Sequence, residues 1–174
     1  LIDRDVVEES NLPRQILFNN RDAKEARTKP EAAATSLRAA GKNQNFIPRC
    51  SDLTRDNVSQ LLSGVQLVLD GSDNFQTRYL LNDYCVANRI PWVYMGAVGS
   101  WGMAGAVVPG EHCLRCIWPH PPEAGQGPTC ATEGVLGAAS SSIAACGGLE
   151  ALKWLLGRPQ DLLGGFLHLD VWTQ

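Results

Sequence analysis

The chain has 174 residues, with 15 basic and 18 acidic side chains and a formal net charge of −3. This length and composition favour one globular domain with a substantial core. The charge argues against the basic surface of a general nucleic-acid binder, and no stretch is apolar for long enough to span a membrane. We therefore expect neither a membrane nor bulk nucleic acid as a partner.

Both ends of the sequence resemble interrupted strands. The chain begins at Leu1 without a Met, and the segment 166–172 has the pattern of a strand with no visible finish. We interpret the sequence as part of a longer protein, so a targeting segment cannot be judged from it.

The spacing of the six cysteines does not indicate a secreted disulfide framework. Cys50 and Cys85 lie in ordinary segments, whereas Cys113 and Cys116 form a tight Cys-x-x-Cys. Cys146 lies in a run of small residues that is typical of a buried, unreactive thiol. Reduced thiols and a cytoplasmic location are the expectation.

The first half of the chain alternates between strand and helix patterns. The predicted elements are a strand ending at Asp3, a helix over 23–40, a strand over 45–47, a helix over 58–62, a strand over 65–69 with Asp70 at its tip, a helix over 74–88 and a strand over 92–95. This alternation predicts a doubly wound, Rossmann-like α/β sheet that is mostly parallel.

The pattern changes in the second half. Strands over 97–101 and 103–108, with Gly102 near the turn, predict an antiparallel hairpin that extends the parallel sheet. The irregular segment 109–134 predicts a functional or metal-stapled loop. A helix follows over 135–156, and its small residues suggest close packing, with a second subunit as one option.

The segment that follows Asp3 carries several polar side chains in sequence. An acid at a strand end is the position from which doubly wound folds bind a ribose hydroxyl. Asn11 offers a donor and an acceptor, Arg14 a planar fork that fits phosphate oxygens, and Gln15 a further polar contact. Taken singly, each could be a helix cap or a surface charge.

Cys113 and Cys116 have the spacing of half a structural zinc site, because thiolates three residues apart occupy two corners of a Zn²⁺ tetrahedron. A redox dithiol is the alternative. It is disfavoured because the sequence shows no helix start there that would lower the pKa of a thiol.

Taken together, the string from Asp3 through Ser10-Asn11-Leu12-Pro13-Arg14-Gln15 resembles the ThiF/MoeB/HesA family of sulfur-carrier adenylyltransferases, which are related to ubiquitin-activating enzymes. A second match is Asp70-Gly71-Ser72-Asp73-Asn74 followed by Arg78. The resemblance runs through nearly the whole chain and implies a single adenylation domain over 1–174 that lacks its Gly-rich loop and its C-terminal end.

The resemblance also implies roles for individual residues. Asp3 would hold the ATP ribose, Asn11, Arg14 and Gln15 would meet the phosphates or the reacting centre, and Lys29 would bind phosphate, with Lys24 as a rival. Asp73, beside Asn74, would hold Mg²⁺, which prefers carboxylate oxygens and water, although Asp73-Asn74 could equally cap the following helix. Cys130 would lie in a crossover loop and could link covalently to the carrier. The second zinc pair would lie beyond Gln174.

The implied reaction is ATP-dependent adenylylation of the C-terminal glycine of a ubiquitin-like sulfur-carrier protein that ends in Gly-Gly, as in the thiamine or molybdopterin pathways. The family resemblance further implies a homodimer and a possible sulfur donor protein. We expect the visible segment alone neither to bind ATP well nor to turn over.

Other readings stay open at this stage. The chain could activate another small protein or a tRNA base, or serve as a catalytically silent, zinc-stapled partner subunit. A nicotinamide-dependent dehydrogenase would share the sheet and Asp3, but it would leave the Ser-Asn-Leu-Pro-Arg-Gln string without a role.

Overall fold

A computed structural model describes residues 1–41, 44–122 and 130–173. The chain divides into two compact units, Leu1–Thr54 and Arg55–Gln174. Within the described residues, none of the helices is both long and apolar enough to cross a membrane.

The first unit is built on a short parallel strand pair. β1 (Ile2–Asp3) pairs with β2 (Arg49–Cys50), and both strands contact the helix α2 (Lys29–Ala40). Three consecutive alanines of α2 at 32–34 are buried. Their small side chains allow the helix to lie close to its neighbours, so the alanine-rich pattern becomes the core of this unit.

The single helix predicted over 23–40 is wrong, because the structure breaks it into α1 (Asn20–Lys24) and α2. Between them, Ala26 adopts a left-handed backbone with φ 46°, and Thr28 forms an antiparallel bridge with Val6. Pairing with the extended segment after β1 overrides the local helical propensity here. The strand predicted over 45–47 is also wrong, since the pairing residues are Arg49 and Cys50.

The second unit contains a four-stranded sheet in the order β3-β4-β5-β6. Its strands are β3 (Val68–Asp70), β4 (Trp92–Val98), β5 (Trp101–Val107) and β6 (Leu167–Asp170). β3 and β4 are parallel, whereas β4, β5 and β6 are antiparallel to their neighbours. The predicted α/β fold with an antiparallel hairpin added to parallel pairing is confirmed. The expectation that the sheet is mostly parallel is wrong for this unit, because two of the three strand pairings described in it are antiparallel.

The helices of this unit are α3 (Val58–Leu61), α4 (Phe75–Ala87), α5 (Leu114–Ile117), α6 (Cys130–Glu133) and α7 (Gly137–Leu155). α4 and α7 lie within two residues of their predicted ends. The predicted loop over 109–134 contains α5 and α6, and its residues 123–129 lie outside the described part of the chain.

The predicted position of the hairpin turn is wrong. β4 and β5 pair continuously from Trp92↔Val107 to Val98↔Trp101, so the turn lies at Gly99-Ser100, where Gly99 has φ 57°. Gly102 instead faces α7, and a Cβ there would lie 2.6 Å from Cγ1 of Ile143. Glycine is required at Gly102 by close helix-to-sheet packing and not by a turn.

The small residues of α7 serve the same packing. A Cβ on Gly147 would lie 2.4 Å from Sδ of Met95 on β4.

Towards the end of the helix, the carboxylate of the buried Glu150 accepts a hydrogen bond from the backbone N–H of Leu163 at 2.8 Å and pairs with Lys153. This contact anchors the segment that leads into β6. Cys146, expected to be buried, is half-exposed.

Candidate functional site

Asp3 lies at the carboxyl end of β1, as predicted, and its side chain shapes the turn that follows. Oδ1 of Asp3 accepts a hydrogen bond from the backbone N–H of Asp5 at 2.9 Å. Asp5 in turn pairs with Nζ of Lys29 at 2.9 Å, and its carbonyl accepts from the backbone N–H of Lys29 at 2.8 Å. The first unit therefore brings Asp3 and Lys29 together through Asp5.

Lys29 and its rival Lys24 occupy different surroundings. Lys29 is the first residue of α2, and its side chain is only 15 % exposed. Lys24 lies in the last turn of α1 and is exposed. A lysine already paired with a carboxylate, as Lys29 is with Asp5, is better ordered for phosphate binding than a solvated one, because less side-chain entropy is lost on binding.

Asn11, Arg14 and Gln15 form one tight turn after a 3₁₀ helix over Glu9–Asn11. The backbone N–H groups of Arg14 and Gln15 both donate to the carbonyl of Asn11, at 3.1 and 2.9 Å. Asn11 is buried, and its Oδ1 accepts from the backbone N–H of Glu8. Nη1 of Arg14 donates to the carbonyl of Ser10 at 2.6 Å. The three predicted residues are neighbours, and Asn11 serves chiefly to build the turn.

Gln15 has an unused polar atom in this turn. Its Oε1 is buried and accepts no hydrogen bond from the described residues. A buried acceptor without a partner is costly, so such an atom calls for a ligand or a water molecule.

In the second unit, the carboxyl end of β3 carries a buried ion pair. Asp70 is 2 % exposed and Arg78 of α4 is 7 % exposed, with Oδ2 of Asp70 at 3.5 Å from Nε of Arg78. Nη2 of Arg78 donates to the carbonyl of Ser72 at 2.6 Å, and Nη1 donates to the hydroxyl of Tyr94 at 2.8 Å. The guanidinium thus links the end of β3, the turn after it and β4.

The predicted magnesium ligand Asp73 lies in the turn that this guanidinium holds. The cap of α4 is Asn74, whose Oδ1 accepts from the backbone N–H of Thr77 at 2.8 Å. Asp73 itself is exposed and takes no part in the cap. The capping role considered for Asp73-Asn74 is therefore filled by Asn74, and the Asp73 carboxylate remains accessible for a cation.

The two thiols of the Cys-x-x-Cys motif lie side by side. Sγ of Cys113 is 3.6 Å from Sγ of Cys116, and α5 begins directly after Cys113. The expectation that no helix starts here is wrong, because Leu114–Ile117 form one helical turn. No cluster of three or more metal-binding side chains is present in residues 1–41, 44–122 and 130–173.

Cys130 is the first residue of the short helix α6. Its side chain lies outside the described part of the chain, and so does the preceding segment 123–129. Its suggested covalent role stays a prediction.

Sequence reasoning missed two parts of this arrangement. Asp5 was not assigned a role, although it connects Asp3 to Lys29. Arg78 was noted only as part of a motif, and its contacts to Tyr94 and Ser72 were not foreseen. An arginine within a helix pattern, eight residues after a strand-end acid, is a sequence signal that could have indicated the second.

Comparison with known proteins places the chain in a family. The model of the ThiF family matches residues 1–174. The chain belongs to the ThiF family. It is 38 % identical over 171 residues to a SAMP-activating enzyme E1 of Haloferax volcanii, covering 98 % of this chain and 63 % of that protein. It is 36 % identical over 174 residues to a sulfur carrier protein ThiS adenylyltransferase of Bacillus subtilis, covering 99 % and 50 %.

The fold agrees with solved ThiF-type architecture. A crystal structure of E. coli MccB with succinimide aligns with a TM-score of 0.80 at 20 % identity, covering 98 % of this chain and 52 % of that one. The chain thus spans about half to two thirds of the length of the curated relatives described above.

The buried Asp70 gives this ThiF-family chain a testable pH signature. Loss of solvent raises the pKa of Asp70, while Arg78 partly opposes the increase. A carboxyl group whose pKa is higher in the folded than in the unfolded state contributes most to stability at pH values below its unfolded pKa of about 3.9. This contribution to stability is lost as the pH rises through the folded pKa. We expect wild-type stability to fall relative to Asp70→Asn as pH rises above about 4. Urea unfolding at a series of pH values measures the difference.

Asp170 provides a control, because its pKa is shifted in the direction opposite to that of Asp70. The backbone N–H of Trp172 donates to Asp170 at 2.9 Å and lowers the pKa of this carboxyl. Wild type should therefore lose stability relative to Asp170→Asn as pH falls through the lowered pKa. Identical pH slopes for wild type and Asp70→Asn would contradict the assignment.

Proposed function

We propose that the full-length protein uses ATP to adenylylate the C-terminal carboxylate of a ubiquitin-like sulfur-carrier protein, and so acts as a nucleotidyltransferase. The observation that carries the proposal is the accessible carboxylate of Asp73, presented at the carboxyl end of a parallel strand and left out of the helix cap by Asn74. Relatives over the whole chain are named as adenylyltransferases of such carriers, which supports the same reaction.

The first unit supplies the groups for the nucleotide. In the proposal, Asp3 at the end of β1 accepts hydrogen bonds from the ribose, and Lys29 and Arg14 compensate phosphate charge. Lys29 is suited to this because Asp5 already orients its ammonium group. Oε1 of Gln15, buried without a partner among the described residues, can accept a hydrogen bond from a bound group.

The residues also fit the magnesium ion that such a reaction requires. Asp73 offers carboxylate oxygens and is open to solvent, and Mg²⁺ is typically held by one or two carboxylates together with substrate phosphates and water. When bound, the ion would neutralise phosphate charge as pyrophosphate leaves. The contribution of the chain is to hold Asp73 in place through Asn74 and Arg78.

A structural zinc ion is a further part of the proposal. Two ligands of a tetrahedral zinc with Zn–S bonds of about 2.3 Å lie about 3.8 Å apart. The separation of 3.6 Å between Sγ of Cys113 and Sγ of Cys116 fits this geometry. The other two ligands would come from a second cysteine pair elsewhere in the full-length protein.

The remaining parts of the proposal concern the assembly. The carrier would end in Gly-Gly, and Cys130 in the crossover loop could form a covalent link with it. Residues 1–174 would act as one adenylation domain with a doubly wound sheet, in a cytoplasmic homodimer. A donor protein would then deliver sulfur to the activated carboxylate of the carrier. Exposed leucines on α7, at positions 149, 152 and 155, support the homodimer, because apolar patches of this kind mark contact surfaces.

Substitution of Asp73 tests the proposed magnesium role. In the full-length protein, Asp73→Ala should lower ATP–pyrophosphate exchange with the cognate carrier by about 100-fold or more, because the ion loses its protein ligand. The matched control is Asp161→Ala, which removes a surface carboxylate paired with Arg158. Exchange at the wild-type rate in Asp73→Ala would overturn the assignment.

The two candidate lysines can be separated in the same assay. Lys29→Met should raise the KM for ATP and lower kcat by about 10-fold or more, since one charged hydrogen bond to phosphate is lost. Lys24→Met, on the exposed end of α1, should leave both parameters near wild type. The reverse result would assign the phosphate contact to Lys24.

A further inference from the structure

We infer that α4 positions Cys113 and Cys116 as a preformed dithiol, and that Asn82, Asp83 and Arg115 are the positioning residues. The inference deepens the zinc proposal, on which it rests for its biological role. It concerns side chains that do not touch the metal and that no sequence motif of the chain assigned.

The first contact is a buried hydrogen bond between helix and thiol turn. Oδ1 of Asn82, which is 1 % exposed, accepts from the backbone N–H of Leu114 at 2.8 Å. The Leu114 side chain is fully buried. The residue directly after Cys113 is therefore held through its backbone by a side chain of α4, and its apolar group is buried.

The second contact is a bidentate ion pair. Nε and Nη2 of Arg115 donate to the two carboxylate oxygens of Asp83 at 2.8 and 2.7 Å. The guanidinium also lies 4.8 Å from the ring centroid of Tyr79. The planar fork of arginine fixes both distance and orientation, which a lysine at the same position cannot do.

The third set of contacts holds the residues that come directly after the two cysteines. The hydroxyl of Tyr79 donates to the carbonyl of Trp118 at 2.6 Å, and Nη1 of Arg115 donates to the carbonyl of Pro119 at 3.3 Å. Tyr79, Asn82 and Asp83 have the i, i+3, i+4 spacing of one helical face. That single face of α4 thus holds the segment at residues 114, 115 and 118.

The contacts of α4 with this segment fix its geometry. Because both carboxylate oxygens of Asp83 accept from one edge of the Arg115 guanidinium, the two opposite charges compensate each other within the pair. What it provides is a fixed turn, closed by the backbone N–H of Cys116 donating to the carbonyl of Cys113 at 3.0 Å. A dithiol that is ordered before binding loses less conformational freedom when it chelates, so it binds more tightly.

A dithiol-selective probe tests the positioning without zinc. Phenylarsine oxide, added to the metal-free, reduced full-length protein, bridges two adjacent thiolates. We expect Arg115→Lys and Asp83→Asn to weaken its binding about 10-fold, a loss typical of removed supporting contacts. Arg158→Lys, which alters a surface pair with Asp161, is the matched control and should bind as wild type does. Both test sites are largely exposed, so the variants should fold, and far-ultraviolet circular dichroism checks this.

A second arm uses the zinc-loaded full-length protein and a chromogenic chelator. Faster zinc release from Arg115→Lys than from wild type supports positioning at the metal site. A wild-type protein that holds no zinc, but still binds the arsenical more tightly than Arg115→Lys does, would overturn the zinc proposal and support the positioning. Equal arsenical affinities in folded wild type, Arg115→Lys and Asp83→Asn would overturn the positioning itself.

Discussion

The second unit depends on one buried cation. The guanidinium of Arg78 lies over the ring of Tyr94, with 4.6 Å to the ring centroid, and meets Asp70 and the carbonyl of Ser72. Nη1 and Nη2 of Arg78 donate hydrogen bonds, whereas Nε of Arg78 and Oδ2 of Asp70 make none with the described residues, so the pair is costly to bury. Removal of either member would leave an uncompensated charge. Gly96 shows how closely the surroundings fit, because a Cβ there would lie 2.8 Å from Nη2 of Arg78.

The buried pair of Asp70 and Arg78 affects the surface through α4. Its N-terminus presents Asp73 and the cap Asn74, its first turns carry Arg78, and the face that includes Asn82 and Asp83 holds the dithiol turn. One helix of 13 residues therefore orders both proposed ion sites of this unit. The chemistry is carried by exposed groups, and the rigidity that places them comes from buried polar contacts.

The sequence was most informative where the signal is local. Strand-end acids located Asp3 and Asp70. Apolar periodicity located α4, and a run of small residues located α7, both within two residues. Short polar strings also carried the family resemblance, which the match over residues 1–174 confirms.

Features set by distant contacts could not be predicted. The sequence pattern placed Gly102 near a turn, whereas in the structure a side chain at Gly102 would collide with Ile143 of α7. The break between α1 and α2 arises from pairing of Val6 with Thr28, and Asp5 meets Lys29 across 24 residues. Each of these depends on which segments the fold brings together, and that information is absent from a short window of sequence.

Formation of the carrier adenylate tests the central claim most directly. Full-length protein would be incubated with Mg²⁺, ATP and a ubiquitin-like sulfur-carrier protein ending in Gly-Gly, and the intact carrier mass would be measured, with a carrier lacking its last glycine as control. We expect a mass gain of one adenylyl group at the C-terminus, with release of pyrophosphate, in the Gly-Gly carrier alone. An unmodified carrier in the presence of intact enzyme and ATP would contradict it.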